Sequence, residues 1–497
     1  MSYISLAVYF IAMLGIGVFA YRRSTSDMSG YILGGRQVSP QVTALSAGAS
    51  DMSGWMLMGL PGAMFVSGFD SMFIAIGLLV GALANYILVA PKLRVYTEVA
   101  NDALTIPEFF AKRFNNKTSS IRIISAVIIV MFFTLYTSAG LVAGGKLFES
   151  AFGLNYQLGL FITLGVVVSY TLLGGFLAVS LTDFVQGCIM FVALALVPIV
   201  AYQHFTDSNE MLGFAYQSIP TFSQSMSDMT ALGLVSSLAW GLGYFGQPHI
   251  IVRFMAIRSV PAVKTARNIG MSWMTVTITG ALSTGLVGVA YANKFNLAVD
   301  DPETIFIIFS ELLFHPLISG FLLAAILAAI MSTISSQLLV SASSLTEDIY
   351  RLKAGNEVSD EQTVKMGRYG VAGVAVVALL LSLDSNNSIL SLVSNAWAGF
   401  GAAFGPLVLF CLYKANLTHK AAVAGIISGA VTVLVWIYAP LLPNGQTLSS
   451  VMYEIVPGFI VSAAVIWLVS QFGEKPSKAT AAMFDETNQV LAKQHSN

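Results

Sequence analysis

One carboxylate is predicted to lie deep inside an apolar helix. Asp51 sits within residues 44–61, a stretch that contains three serines and three glycines but no other charged residue. A carboxylate at membrane depth costs several kcal/mol unless it is paired or solvated, and we expect no Lys or Arg at the centre of any span. We therefore predict a small cation as its partner. The alternative is that Asp51 accepts hydrogen bonds from backbone amides at an interruption of the helix and holds it open.

Two neighbouring hydroxyls could complete a cation site. Ser332 and Thr333 lie in the apolar stretch 316–348. With carbonyl groups from an interrupted helix they would offer an all-oxygen site, which hard cations such as sodium prefer. The alternative is that both hydroxyls bond back to their own helix or to another one, as is common in membrane spans.

Four aromatic residues are predicted near the middle of apolar helices: Trp55, Tyr136, Trp240 and Tyr244. In membrane proteins Trp and Tyr usually collect at the interfaces instead. Together they could wall a pocket for a small, partly apolar solute. For any one of them, ordinary core packing is the better explanation, and only the group of four beside two breaks favours a pocket.

The remaining polar residues point to no catalysis. We expect Asp183 to cap the start of a helix, and His249 and His315 to lie near the membrane faces in contact with water. The sequence contains no phosphate-binding loop, nucleophile elbow or metal-spaced histidine pair. We therefore do not expect an enzyme.

The composition places these residues in a membrane. The chain has 497 residues, of which 56% are hydrophobic and 10% charged, and its mean hydropathy is +0.77. A soluble domain typically has about 25% charged residues. The net charge of −1 gives no electrostatic basis for binding nucleic acid. The chain is therefore predicted to be an all-α integral membrane protein with the lipid bilayer as its partner.

Runs of about 20 apolar residues, the length that crosses a bilayer, occur thirteen times. We number the predicted spans 1 to 13, and they cover residues 3–21, 39–65, 68–93, 120–150, 154–173, 178–205, 229–247, 268–291, 316–348, 366–384, 389–413, 418–438 and 454–472. Residues 1–472 would form a single transmembrane domain, followed by a polar tail over residues 473–497.

Basic residues give the orientation. If the N-terminus lies outside, every Lys and Arg of the 24 except Lys146 and Lys294 falls on the inner side. Cytoplasmic loops of membrane proteins carry such an excess. The C-terminus is then predicted to be cytoplasmic.

Two spans are interrupted by residues that weaken helices. Span 2 contains the Asp51 stretch, and span 7 contains the sequence AWGLGYFGQP at 239–248. Irregular backbone at membrane depth survives where it is buried or lines a cavity, and secondary transporters place such breaks at corresponding positions of two inverted repeats. Five spans separate the breaks, which predicts repeats at residues 39–205 and 229–413. Close packing of glycine-rich helices is the alternative explanation.

The same residues resemble the solute:sodium symporter family over essentially the whole chain. The matching motifs are ILGGRQVSP at 32–40, SAGASDMSGWMLMGLPG at 46–62, GGFLAVSLTDFVQ at 174–186, WGLGYFGQPHI at 240–250, and MSTISSQLLV with SLTEDIY at 331–350. The motifs at 46–62 and 240–250 are specific to the members that transport proline. The resemblance implies the leucine-transporter fold with inverted five-helix repeats, spans 2–6 and 7–11.

The resemblance also implies a function and its residues. It implies sodium-coupled import of L-proline across the plasma (inner) membrane of a bacterium by alternating access, with Na⁺ as the co-transported ion. Asp51 matches an aspartate that is critical for sodium, and Arg36 and Asp183 match polar positions that affect ion coupling. The implied sodium ligands are backbone oxygens of Ala49, Met52 and Ala329 with the hydroxyls of Ser332 and Thr333. The implied proline contacts are Ser53, Gly54, Trp55, Gly59, Tyr136, Trp240, Tyr244 and Pro248.

Two other functions remain to be weighed. One is a symporter of the same family that carries another small amino acid or organic solute. The other is a proton-translocating membrane subunit, which requires ionisable residues inside several helices. Here we expect only Asp51 to meet that requirement.

Overall fold

The computed structural model describes residues 2–23, 28–114, 119–218, 229–354, 359–473 and 475–496. The predicted domain and tail therefore include residues outside this set, among them Met1, Glu474 and Asn497. Helices dominate the described part of the chain, where a single isolated bridge between Val38 and Ile257 is the one β-type pairing.

Thirteen apolar helices follow the thirteen predicted spans. Of the described residues, ten helices have the length and apolar character to cross a membrane: Tyr3–Ala20, Asp70–Val99, Ser120–Phe152, Gly175–Tyr202, Val260–Phe295, Pro316–Tyr350, Glu361–Leu381, Ile389–Tyr413, His419–Tyr438 and Ile455–Phe472. Shorter apolar helices at Trp55–Ser67, Tyr156–Ser169 and Ala231–Gly246 occupy spans 2, 5 and 7. The prediction was weakest at two of these short helices, where glycines and breaks shorten the apolar run.

Span 2 is broken where its sequence predicts. The helix Pro40–Asp51 begins at the cap Ser39, whose hydroxyl accepts a hydrogen bond from the Val42 N–H. Met52 and Ser53 leave the helix, and the chain resumes as a wide π-type turn at Trp55–Gly59 before the helix Leu60–Ser67. A side chain at Gly54 would approach the Ala143 methyl to 2.6 Å, so the break packs directly against span 4.

Span 7 is broken as well, and it extends further than predicted. After Ala231–Leu238 the backbone tightens into a 3-10 helix over Ala239–Gly246 and extends at Gln247. Pro248 then starts a second, buried half-helix, Pro248–Ala256. Residues 249–256, which include Arg253, were predicted to lie in a loop between spans 7 and 8. That prediction was wrong, because the arginine is buried against a partner inside the bundle.

The helix Tyr156–Tyr202 contains the reversal that separates spans 5 and 6. Gly175 has φ 56° and ψ −150°, a conformation that residues with a side chain rarely adopt. The ring of Tyr31 lies 2.6 Å from where a side chain would begin. Span 6 then packs against span 2, and the Trp273 indole of span 8 donates to the Gly187 carbonyl at 2.8 Å beside them.

The polar tail forms a helix, Lys478–Ser496, that lies on the end of the bundle. Its Phe484 packs edge-on against Tyr96 at 6.4 Å and lies 5.6 Å from the buried guanidinium of Arg113. Arg113 also donates to the Thr480 carbonyl. The tail, predicted only as a polar segment, is anchored to the bundle by these contacts.

Candidate functional site

A free carbonyl at the end of the first half of span 2 receives two hydroxyls. In a continuous helix the Ser53 N–H would bond to the carbonyl of Ala49, but it bonds to that of Asp51 at 3.0 Å. The Ala49 carbonyl instead accepts hydrogen bonds from Ser332 at 2.6 Å and Thr333 at 3.4 Å. The break itself therefore frees the oxygen that span 9 binds.

The predicted cation ligands lie together on this contact. The Ser332 hydroxyl is also 3.1 Å from the Ala329 carbonyl, so two carbonyl and two hydroxyl oxygens of the predicted set are within hydrogen-bond distance of one another. Ser332 and Thr333 are buried. Met52 lies in the break, where its sulfur contacts the Thr277 hydroxyl at 3.6 Å. Such a group of buried oxygens suits a hard cation, and that role stays a prediction.

Asp51 is held by three aromatic residues. Its side chain accepts a hydrogen bond from the Tyr244 hydroxyl at 2.5 Å. Its backbone carbonyl accepts from the Trp55 indole at 3.0 Å and from the Tyr136 hydroxyl at 3.3 Å. Spans 2, 4 and 7 therefore meet at this residue. The sequence predicted these rings as walls of a pocket, and their polar ends also fix the interrupted backbone.

The second carboxylate oxygen of Asp51 is buried and has no hydrogen-bond partner among the described residues. The residue is 1% exposed, and no Lys, Arg or His of the described chain forms an ion pair with it. A buried carboxylate of this kind is costly without a cation. The arrangement therefore favours a positively charged ligand beside Asp51.

A small cavity of about 20 Å³ borders Asp51, Met52 and Tyr244. Asn85 lines the same cavity, and both polar atoms of its buried amide are unpartnered among the described residues. Sequence reasoning missed Asn85. A signal existed, because it is the only amide in the apolar run of span 3, 71–91.

The other predicted solute contacts do not all join this group. Ser53 and Gly54 lie in the break, and Gly59 packs against Leu390. Trp240 stacks on Tyr453 with ring centroids 5.2 Å apart, at a separate cleft. Pro248 lines another cavity, next to Phe176 and Thr105. The structure therefore brings Trp55, Tyr136 and Tyr244 together and places Trp240 and Pro248 elsewhere.

A buried ion pair joins span 6 to the second half of span 7, and the sequence prediction missed it. Arg253 of the second half of span 7 lies 3.1 Å from Asp183 of span 6. The Ser46 hydroxyl donates to Asp183 at 2.7 Å and accepts from Arg253 at 3.0 Å, while Arg253 donates to Ser336 at 2.6 Å. Asp183 was predicted as a helix cap at a loop. That was wrong, because it lies eight residues inside the helix that follows Gly175 and is fully buried.

His249 also differs from its predicted position. Its ring is buried, 5.3 Å from Phe133 and 6.0 Å from Tyr136, and neither nitrogen has a partner among the described residues. It was expected in water near a membrane face, because the loop prediction placed it there. His315 is exposed and caps the helix that follows it, as expected.

Arg36 ties the start of span 2 to neighbouring loops. Its guanidinium contacts Asp102 at 2.6 Å, the Ala103 carbonyl at 2.7 Å and the Met255 carbonyl at 2.8 Å. It is 6% exposed. These bonds join the entry of span 2 to the end of the second half of span 7, so a structural link between the two broken spans exists here too. A role in ion coupling stays a prediction.

Comparison with known proteins gives similar sequences over nearly the full length. The model of the sodium:solute symporter family matches residues 31–429 of this chain. The chain is 56% identical over 492 residues to the osmoregulated proline transporter OpuE of Bacillus subtilis (strain 168), covering 98% of each chain. It is 52% identical over 480 residues to a sodium/proline symporter of Staphylococcus aureus (strain JH9), covering 96% of this chain and 93% of that one.

Solved structures of transporters share the fold. A substrate-bound, outward-open Na⁺-coupled sialic acid symporter matches with a TM-score of 0.78 at 19% identity, covering 96% of this chain and 98% of that one. A nucleobase-cation-symport-1 family transporter in a closed conformation matches with a TM-score of 0.53 at 14% identity, covering 92% and 98%. At these identities the likeness shows the architecture alone, which is the leucine-transporter fold.

Proposed function

The chain belongs to the sodium:solute symporter family, and from this premise we propose that it imports L-proline together with sodium across the plasma membrane of a bacterium. The names of the two relatives, a proline transporter and a sodium/proline symporter, support this solute and this ion. We further propose that the N-terminus lies outside and the C-terminus in the cytoplasm, and that the repeats cover residues 39–205 and 229–413.

The break in span 2 is the observation that carries the proposal. One side of it presents the Ala49 carbonyl to the two hydroxyls of span 9, and the other presents Asp51 to Tyr244. These contacts lie two residues apart on one short piece of backbone. A ligand that orders one side therefore shapes the other, which makes the two bindings mutually favourable.

Sodium would bind among the oxygens of Ala49, Ala329, Ser332 and Thr333, with the Met52 carbonyl completing the site. Its entry would replace the hydrogen bond between Ser332 and Ala49 and turn both hydroxyl oxygens toward the ion. Asp51 would act at short range through its charge, because its carboxylate faces Tyr244 rather than these hydroxyls. It therefore supports the site and holds the break, instead of serving as a ligand.

L-proline would bind on the other side of the break. Its carboxylate would lie near Ser53 and Gly54, at the positive end of the following half-helix. Its ammonium group would lie near the unpartnered oxygen of Asp51. The ring would pack on Trp55, Tyr136 and Tyr244. Trp240 and Pro248 would contact the solute at other stages of the cycle, because they line other cavities.

The prediction that Asp51 is the only ionisable residue buried inside a helix was wrong, because Asp183, Arg253 and Asp348 are buried too. The number of buried charges therefore does not exclude a proton-translocating subunit. Family membership, rather than a count of buried charges, favours a transporter. Another small amino acid as the solute remains the alternative.

The test is uptake by purified full-length protein in proteoliposomes. With an inward sodium gradient, labelled L-proline should accumulate above its outside concentration. Equal accumulation when potassium replaces sodium would refute the coupling. A competition panel of glycine, L-alanine and the six-membered-ring analogue L-pipecolate addresses the solute. Proline should compete best, although one extra methylene changes the affinity by only ~1–3 kcal/mol.

A further inference from the structure

A cleft lined by basic residues opens at the end of the bundle that carries the C-terminal helix. We call it the basic cleft and define it by Lys92, Lys264 and Arg267. It has a volume of about 480 Å³, and Leu491 and Gln494 of the C-terminal helix form one wall. Neither the proposed transport cycle nor the buried ion pairs involve this cleft.

The charges of the basic cleft are not neutralised within the described chain. No described residue that lines it is acidic. None of its three cations forms an ion pair with a described carboxylate. Lys92 contacts the Leu412 carbonyl at 3.3 Å, and Arg267 the Asn268 amide oxygen at 3.1 Å. Lys264 and Arg267 are three residues apart on one helix, so they share a face. An anion would complement this surface.

The backbone adds to the positive potential. The helix Val260–Phe295 begins in the wall of the cleft, and its cap residue Ser259 makes no side-chain hydrogen bond to the first turn. The first N–H groups of a helix lack partners within it, and the helix dipole places partial positive charge there. This helix start therefore reinforces the three side chains.

One side of the cleft continues into exposed apolar surface. Ile87 and Tyr413, which line it, are 50% and 47% exposed, and Leu83 one turn before Ile87 is 41% exposed. In a membrane protein such a surface faces acyl chains. Lys92 follows within two turns, and a lysine at the end of an apolar stretch places its charge at the lipid headgroups.

From this combination we infer that the basic cleft binds the phosphate of an anionic phospholipid. The headgroup would lie between Lys92, Lys264 and Arg267, with an acyl chain along Ile87 and Leu83. Basic pockets between membrane helices are known to bind such headgroups. A free phosphate offers the same charge, but it would leave the exposed apolar side of the cleft unused. The lipid is therefore the ligand that fits both surfaces.

The test counts lipids on the full-length protein by native mass spectrometry. The protein is exchanged into nanodiscs of phosphatidylcholine with 30 mol % phosphatidylglycerol and then released. The wild type should retain phosphatidylglycerol in preference to phosphatidylcholine. Lys264→Gln with Arg267→Gln should lower that retention roughly tenfold or more, since each basic residue near a surface is worth about fivefold. Leu491→Trp, which fills the cleft without changing charge, should lower it as well.

A matched control removes two charges elsewhere at the same end. Lys365→Gln with Lys475→Gln changes exposed lysines that do not line the cleft. This double variant should retain as much phosphatidylglycerol as the wild type. Equal retention by the Lys264/Arg267 variant would overturn the proposal. Displacement of the lipid by millimolar inorganic phosphate would also overturn it, because the site would then belong to a soluble anion. Fluorescence-detected gel filtration of each variant shows that the protein is folded.

Discussion

Two buried aspartates in the core of this transporter have opposite surroundings. Asp183 lies 3.1 Å from Arg253 and accepts a further bond from Ser46. Asp51 has one hydroxyl partner, Tyr244, and forms no ion pair within the described chain. Burial is equally complete at both, so the charge balance is what differs. A carboxylate that is paired with an arginine holds its helices together, whereas a carboxylate without a partner charge favours the binding of a cation.

Arg253→Leu is predicted to have the largest effect in this comparison. Removing one partner of a buried pair leaves an uncompensated charge, which typically costs about 3–5 kcal/mol. The yield of folded protein and its unfolding temperature should both fall sharply. Thermal unfolding followed by gel filtration measures this.

The partner variant separates charge from packing. Arg253→Leu combined with Asp183→Leu removes both charges, and replacing a buried pair by apolar residues is often neutral for stability. The double variant should therefore recover most of the lost unfolding temperature. If the double variant is as unstable as Arg253→Leu alone, the instability does not come from an unpaired charge, and the contrast with Asp51 fails.

Asp51→Asn is predicted to affect sodium rather than folding. A unit charge a few ångströms from an ion contributes roughly 3 kcal/mol at an effective dielectric constant of 20. The sodium concentration for half-maximal uptake should thus rise about a hundredfold, while the unfolding temperature changes little. If this variant depends on sodium as the wild type does, the charge of Asp51 does not act on the ion.

Ser332→Ala is predicted to weaken sodium less, by about tenfold. It deletes one neutral oxygen, and a single hydrogen-bonding group is worth about 1–1.5 kcal/mol. The matched control is Ser335→Ala, because Ser335 lies one turn away on the same helix and bonds back to the Ser332 carbonyl at 3.0 Å. Uptake at graded sodium concentrations compares the two. An equal shift in both variants would show that the hydroxyl facing Ala49 has no special role.

The architecture was predictable because membrane helices follow rules of length and composition. Apolar runs predicted the ten long and three shorter apolar helices of the described residues, and glycine and proline densities located the breaks near Asp51 and in residues 239–248. The half-helix Pro248–Ala256 could not be found in this way. This half-helix contains Arg253, a charged residue that is not expected inside a bundle. The partner that balances its charge, Asp183, lies 70 residues away in the sequence.

The residue types of the sequence predicted candidate site residues but not their contacts, and they missed Asn85. Residue types alone identified Asp51, Ser332 and Thr333 as oxygen donors. That the break frees the Ala49 carbonyl depends on the turn made by Ser53, which residue types do not specify. The division of the aromatic residues, with Tyr244 on Asp51 and Trp240 on Tyr453, depends on side-chain directions after a 3-10 turn. Pairwise partners of this kind are set by packing in three dimensions.

An ion pair between Lys294 and Glu210, outside the buried core, gives the smallest predicted effect. Lys294 contacts Glu210 at 2.6 Å, and this bond, with one from the Thr206 N–H, lowers the pKa of Glu210 to about 2. Water reaches both side chains, which are 22% and 31% exposed. Ion pairs in contact with water are screened and contribute little, so Lys294→Gln should leave the unfolding temperature unchanged near neutral pH. Because the pKa is lowered in the folded state, any contribution is present above the ordinary Glu pKa of about 4.3 and is lost as the pH falls toward 2. Thermal unfolding of wild type and variant between pH 7 and pH 3 should therefore differ little at either end. A loss at pH 7 as large as that of Arg253→Leu would show that burial does not decide which ion pairs hold this bundle together.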